Sequence, residues 1–521
     1  MRVAAMDLGS NSFHMLVADV HPDGHIDPLV QEKEMLRLGD VVSRHGAIPV
    51  TAAVQAVATV RRFRLLAEAA GANEILAKAT AAIRRAENGG EVVDRIRAET
   101  GVHVEVIGGL EEARLIFGAV RASVVLDPSP ALCFDLGGGS LEVMVGDASS
   151  MIWATSVPLG VARLSNEFIR TDPISKRERR LVREHIEQVL APVVAEVAGF
   201  EPKLAVGSSG TLESLAEMVA ARRVEDTPAT LNQLTIDRSE FLALHQDLMT
   251  STAAERLRMD GLDARRVDLI VAGSMVLATA MELIGFEEFT ISEWALREGI
   301  VLDAVRIHDP DDWSDDPRAL RRAAVAGLAR RCGSDIEHSQ HVTRLALSIF
   351  DQTEQLHELD DVDREMLEYA TMLHDIGQHV SRKGHHRHAA YLIDHAQLRG
   401  FAPDEIEFLA ALVRHHRRGD IKTSEPRAAA LDKAARERLR KLAAILRLAD
   451  GLDRGRRGIV ESVDVQIGAD LVVLRLHARE NAELEVWGVR RRRDLFEKVF
   501  ERELEAIVVT RTSERATAVD V

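Results

Sequence analysis

One six-residue phrase occurs twice. Asp7-Leu8-Gly9-Ser10-Asn11-Ser12 and Asp135-Leu136-Gly137-Gly138-Gly139-Ser140 share the pattern D-L-G-x-x-S, and each lies between two short apolar runs that read as strands. Two unrelated hairpin turns are the plainer alternative, because such turns are common. Four identities in six aligned positions, in matching strand–turn–strand contexts, favour a duplicated unit whose two loops face one ligand.

Around these loops strand-like and helix-like patterns alternate. Val3–Met6 and His14–Val20 read as strands, Thr51–Ala70 as a helix, Glu74–Ala79 as a strand, Glu91–Thr100 as a helix, Val102–Ile107 as a strand and Glu111–Val120 as a helix. This alternation predicts an α/β fold with a mixed sheet. The Asp- and Pro-rich stretch His308–Arg318 reads as a boundary, and Ala319 to about Arg454 is almost purely helical in pattern. Val463–Ile467 and Leu471–Leu476 read as strands, a charged helix is expected near Arg490–Ala506, and the polar tail from about Thr510 reads as frayed. The expected domains are therefore 1–125, 126–308, a helical 318–457 and a small α+β region 458–521.

The 521 residues carry a formal charge of −17, which argues against a general nucleic-acid binder. The charge is uneven: 126–317 is net −16, whereas 318–457 is net +4 and contains 11 of the 20 histidines, all between His338 and His416. Two cysteines cannot form a disulfide framework, Asp7 interrupts what a signal peptide would need as an apolar run, and no segment has the length of a membrane span. A cytoplasmic protein with no membrane partner is expected.

The two loops suit phosphate. A Gly/Ser turn brings backbone N–H groups and hydroxyls close to an anion. The neighbouring Asp7 and Asp135 cannot bind phosphate directly but suit Mg²⁺, which prefers hard oxygens and bridges to phosphate. Thr80 and Arg84 open a helix just past a strand, where an arginine can clamp phosphate; a solvated helix face is the bland reading. Glu111 and Glu112 start another helix, either as dipole complements or with one of them as a general base. Gly207-Ser208-Ser209-Gly210-Thr211 opens a helix after a strand, again suited to an anion, and Val271-Ala272-Gly273-Ser274 reads as the same strand-to-helix transition.

Together, DLGSNSFHM (7–15), TAAIR (80–84), EEARLIF (111–117), DLGGGSLEV (135–143), GSSGT (207–211) and ALREG (295–299) resemble, in order and spacing, the exopolyphosphatase/guanosine pentaphosphate phosphohydrolase (Ppx/GppA) family. The resemblance covers residues 1 to about 305. It implies an actin-like ATPase fold of two ribonuclease-H-like lobes around a cleft. It implies Mg²⁺-dependent hydrolysis of a terminal phosphate from inorganic polyphosphate or, alternatively, guanosine pentaphosphate. A regulator that binds polyphosphate or guanosine tetraphosphate without turnover is the competing class, and a homodimer is expected by resemblance alone. Carried onto this chain, the family implies that Glu112 activates water and that Glu142 is also catalytic. Asp135, with Asp7, would hold Mg²⁺. Ser10, Asn11, Ser12, Thr80, Arg84, Gly137, Gly138, Gly139, Ser140, Ser208, Ser209, Gly210 and Thr211 would bind phosphates. Ser292-Glu293-Trp294 departs from the S-D-G of some relatives.

The histidine-rich block presents His338, then His374-Asp375, the 385–388 cluster, His415-His416 and Asp450. That order resembles the HD phosphohydrolase superfamily, an all-helical metal-binding fold, and imidazole with carboxylate suits a transition metal or Mg²⁺. The resemblance implies that His338, His374, Asp375 and Asp450 hold one ion, Mn²⁺ or Fe²⁺, with His386 and His415 available to a second. A domain with an eroded metal set, serving as a binding platform, is the alternative. The arginine runs 438–441, 454–457 and 490–493 read as solvated faces or as a track for a polyanion.

Overall fold

The computed structural model describes residues 1–21, 26–126, 128–223, 229–308, 317–396, 398–417, 421 and 426–509. The expected boundary at 308–318 and the tail from Thr510 lie almost wholly outside them. The chain forms two compact units, Met1–Ala323 with Arg399–Pro403, and Ala324–Leu398 with Asp404–Val521.

In the first unit, β1 (Arg2–Leu8), β2 (Ser12–Val20), β3 (Ile26–Met35), β4 (Glu74–Ala79) and β5 (Val104–Val106) form one sheet in the order β3-β2-β1-β4-β5. The first three strands are antiparallel, and β1, β4 and β5 are parallel. A second sheet contains β6 (Ala131–Leu136), β7 (Leu141–Gly146), β8 (Met151–Val157), β9 (Leu204–Ser208), β10 (Thr235–Asp237) and β11 (Glu288–Ile291), in the order β10-β11-β9-β6-β7-β8. Here β6–β7–β8 is the antiparallel set, while β6, β9 and β11 are parallel. Each sheet thus repeats the same plan around a central strand, β1 or β6, and each central strand runs into a D-L-G loop.

The two-residue period of a strand places the site. In β1, Ala4, Met6 and Leu8 pack into a core with the helix Val50–Ala69. Val3 and Ala5 face the opposite way, into a core shared with Ala131, Cys133 and Met144 of the second sheet and with Ala113, Ile116 and Phe117 of the helix Gly109–Ser123. Asp7 continues the Val3/Ala5 face, and Asp135 continues the Ala131/Cys133 face. Both aspartates therefore sit at one edge of the core that joins the lobes, beside the helix that carries Glu112.

The second unit contains the helices Ile336–Gln352, Asp361–Leu373, His385–Asp394 and Lys433–Leu452. It closes with a three-stranded sheet of β12 (Val460–Ile467), β13 (Leu471–Ala478) and β14 (Glu503–Val509). The helix expected over 490–506 is instead two short helices, Glu483–Arg490 and Asp494–Phe500, followed by β14. Glu501 adopts φ 53°, which ends the helix. Glu503–Val509 alternates, buries Leu504 and Ala506, and pairs parallel to β13. Val271–Ser274 lies inside the helix Ile270–Ile284, not at a strand-to-helix turn. Among the described residues no helix is long and apolar enough to cross a membrane.

Candidate active site

The two D-L-G loops meet. A Cβ on Gly138 would sit 3.1 Å from Asn11 Cβ, and one on Gly139 would sit 2.6 Å from Ser10 Oγ. A side chain at Gly139 would displace Ser10 and crowd Ala81 Cβ at 3.0 Å, and one at Gly138 would press on Asn11, so glycine favours the close approach. Between and below them is a cavity of about 430 Å³ lined by Asp7, Ser10, Asn11, Ser12, Thr80, Glu112, Asp135, Gly137 to Ser140, Ser209, Gly210 and Thr211. Ser209 adopts φ 91°, a left-handed conformation costly for a residue with a side chain, and its hydroxyl donates to the Leu136 carbonyl at 3.0 Å.

Four carboxyl groups gather at the floor. Glu142 is directly opposite Asp135 on the neighbouring strand and is 0% exposed. Ser156 donates to Glu142 Oε1 at 2.7 Å, and Ser208 donates to Asp135 Oδ2 at 2.7 Å. Arg84 donates to Glu112 Oε2 at 3.1 Å and to the Ile107 carbonyl at 2.6 Å. Burial pushes all four acids upward: Asp135 to about 6, Asp7 and Glu112 to about 7, and Glu142 well above the usual carboxylate range. The charges of Asp7 and Asp135 add to the effect on Glu112, whereas Arg84 opposes it.

Two residues read as phosphate ligands are committed elsewhere. Ser208 is buried and orients Asp135, and Arg84 is bound to Glu112 and a backbone carbonyl. Conversely, sequence reading missed His14, Lys33, Glu213, Arg265, Arg266 and Arg297, all of which line the cavity. Arg266 donates to Thr211 Oγ1 at 3.4 Å, and burial with the nearby Arg266 and Arg265 charges lowers Lys33 to about 8. Only Arg297 and His14 belonged to quoted motifs; the others carry no local signal.

A divalent cation suits this floor. Asp7 Oδ1, Asn11 Oδ1 and Glu142 Oε2 are buried without a hydrogen-bond partner, and the surrounding donors are hard oxygens.

The second unit brings its histidines together as well. Ligand atoms of His338, His374 and Asp450 lie within 4.8 Å of one another, and so do those of Asp375, His385 and His416. The latter group corrects the expected pair His386 and His415. Neighbouring helical residues point about 100° apart, and it is His385 and His416 that reach Asp375. His385 Nε2 is 3.3 Å from Asp375 Oδ1 and 3.2 Å from His416 Nε2. His338 Nδ1 donates to Asp453 Oδ2 at 2.7 Å, and His374 Nδ1 and His416 Nδ1 each donate to a backbone carbonyl at 2.7 Å. These bonds fix the tautomers, and the buried Nε2 atoms of His338 and His374 have no partner. Burial, with the charge of His374, lowers His416 to about 3, so its ring is neutral. Asp375 also accepts from Arg456, and Asp450 accepts from Arg492 at 2.6 Å.

Residues 16–308 match the Ppx/GppA phosphatase family, and residues 320–486 match Ppx/GppA phosphatase, domain III. Exopolyphosphatase 1 of Mycobacterium tuberculosis is 37% identical over 334 residues, which cover 64% of this chain and 95% of the relative. Exopolyphosphatase 1 of Mycobacterium leprae is 36% identical over 304 residues, 58% of this chain and 89% of that one. Two crystal structures are also similar. An exopolyphosphatase from Cytophaga hutchinsonii has a TM-score of 0.55 and 30% identity, covering 58% of this chain and 98% of that chain. The Aquifex aeolicus Ppx/GppA family member has a TM-score of 0.52 and 26% identity, covering 59% and 99%. The two-lobed core is an actin-like ATPase fold with an acid-floored cleft, and the chain belongs to the Ppx/GppA phosphatase family. It is therefore a hydrolase.

Proposed function

We propose that the cleft hydrolyses the terminal phosphoanhydride bond of inorganic polyphosphate. The observation that carries this reading is the set of carboxyl groups Asp7, Glu112 and Asp135 lining one cavity with two Gly/Ser loops, with the buried Glu142 directly opposite Asp135. A pure binder of a polyanion gains nothing from such acids. The relatives called exopolyphosphatase support the same substrate.

Asp7 and Asp135, with Glu142 behind them, would hold Mg²⁺. When bound, the ion neutralises phosphate charge and lets the acids ionise beside it. The backbone N–H groups of 137–140 and the hydroxyls of Ser10, Ser12, Thr80 and Thr211 hold the terminal phosphate. Glu112 orients a water in line with the terminal P–O bond and takes its proton. The water oxygen bonds to the terminal phosphorus, and the shortened chain leaves with the bridging oxygen. Arg84 positions the Glu112 carboxylate. Positioning and electrostatics carry the reaction, with no covalent enzyme intermediate.

The test compares wild type and Glu112→Gln on polyphosphate and on guanosine pentaphosphate. Wild type is expected to release phosphate from polyphosphate with the higher kcat/KM and to depend on Mg²⁺. A higher kcat/KM on guanosine pentaphosphate overturns the substrate, and turnover of neither overturns the enzyme reading.

For the second unit we propose an HD-like metal site, with His338, His374, Asp375 and Asp450, joined by His385 and His416, as ligands of Mn²⁺ or Fe²⁺. What supports it is the partnerless Nε2 atoms on rings whose other nitrogen is held. Metal analysis of the full chain against His374→Ala tests it; equal, negligible Mn and Fe in both rejects it.

A further inference from the structure

A basic pocket lies in the second unit, lined by none of the cleft's residues. It has a volume of about 300 Å³ and is lined by Arg417, Arg454, Trp487, Gly488, Arg491 and Arg492. The pocket is built rather than incidental. The helices Lys433–Leu452 and Glu483–Arg490 touch backbone to backbone at Gly451 and Gly488, where a Cβ on Gly488 would sit 2.3 Å from the Gly451 carbonyl oxygen. Any side chain at Gly488 would push the second helix outward, and with it Trp487, Arg491 and Arg492.

Three of the four lining arginines have no acidic partner: among the described residues no carboxylate pairs with Arg417, Arg454 or Arg491. Arg492 gives one nitrogen to Asp450, but its buried Nη1 has no hydrogen-bond partner. Three guanidinium groups without a paired carboxylate, beside a fourth that Asp450 holds by one nitrogen only, suit an anion with several charges, and a short phosphate chain supplies both the charge and the acceptors. The remaining wall is an indole. Trp487 is 45% exposed at the pocket, with the Arg491 guanidinium 4.8 Å from its ring centre. An inorganic chain has no use for an exposed aromatic ring, whereas a nucleobase stacks on one.

We propose that this pocket binds a nucleoside oligophosphate, its phosphates among Arg417, Arg454 and Arg492 and its base against Trp487. The proposal does not depend on the reaction assigned to the cleft. Because Arg492 also holds Asp450, a phosphate drawing on Arg492 would loosen its grip on a member of the histidine–aspartate cluster.

The test is a tryptophan-fluorescence titration of the full-length protein with GTP, ATP and inorganic tripolyphosphate, without added divalent cation. At least one nucleotide is expected to give a saturable change that vanishes in Trp487→Phe. Its Kd should rise about tenfold or more in Arg417→Gln/Arg454→Gln, with melting as in wild type. Both arginines are exposed, so the variant tests charge rather than folding. A nucleotide signal that persists in Trp487→Phe and a Kd unmoved by the arginine changes overturn the proposal. So does tripolyphosphate binding that depends on Arg417 and Arg454 while neither nucleotide gives a Trp487-dependent change, since that identifies a site for inorganic chains.

Discussion

Asp135 and Glu142 are cross-strand partners on the β6–β7 hairpin, so the loop between them hangs over a pair of buried acids. Burial, with the charges of Glu112 and Asp135, keeps the Glu142 proton on, so the pair does not carry two like charges at one point of the fold. Glu142→Gln mimics that protonated side chain. Its melting temperature without metal is expected to equal wild type's, while the rise that Mg²⁺ gives wild type is expected to shrink or vanish. A full Mg²⁺-induced rise in the variant removes Glu142 from the cation site.

The acids of the cleft set a pH dependence. Asp7, Asp135 and Glu112 have native values near 6 to 7, raised by burial above ordinary values of 3.8 for aspartate and 4.5 for glutamate. In that window the native state binds more protons than the unfolded state, so stability falls as pH rises. Without metal, the melting temperature is expected to drop between about pH 4 and 7, and Mg²⁺ is expected to flatten the upper part of that slope. A metal-free stability that rises across the same range, after correction with Asp135→Asn, contradicts the assignment.

Glu178 behaves in the opposite sense. It forms a capping box with Ser175 at the start of the helix Lys176–Ala198 and accepts from the Arg170 and Thr171 amides at 2.7 and 3.1 Å. Burial opposes its ionisation, but hydrogen bonds from Thr171 and Ser175 outweigh this and bring it down to about 2. Glu178→Ala is expected to cost about 2 kcal/mol at neutral pH. The gap from wild type in urea unfolding should narrow as pH falls from 4.5 towards 2. A gap that is independent of pH shows that packing, not the ionised cap, is responsible.

Asp453 bears on the proposed metal site through His338. Its carboxylate holds the His338 Nδ1 proton and so leaves Nε2 as the ligand atom. Asp453→Asn is expected to weaken Mn²⁺ or Fe²⁺ binding by about 10- to 100-fold in a chelator competition. Unchanged affinity means that His338 takes no part in binding.

The parts of the cleft that were legible in sequence are local. A D-L-G-x-x-S hairpin carries its aspartate, turn and serine within a few residues, so both loops and their shared ligand could be read from one repeat. Lys33, Glu213 and Arg266 could not: β3, the helix Gly210–Arg223 and the short turn Ala264–Arg266 are far apart in the chain and converge only when the lobes pack. Adjacent histidines defeat spacing in another way. His385 and His386 differ only in helical phase, and His415 and His416 lie just past the end of the helix Pro403–Arg414, so in both pairs packing decides which ring enters the cluster. The charged stretch Arg490–Ala506 reads as one helix, but from Glu503 onward pairing with β13 outweighs that local preference.

The most direct test of Glu112 as the base is a single-turnover experiment with saturating Glu112→Gln and end-labelled polyphosphate in Mg²⁺. The expected result is a fall of about 100-fold or more in the rate of terminal phosphate release, with chain affinity close to wild type. A single-turnover rate near wild type's, in a variant that binds the chain normally, would contradict it.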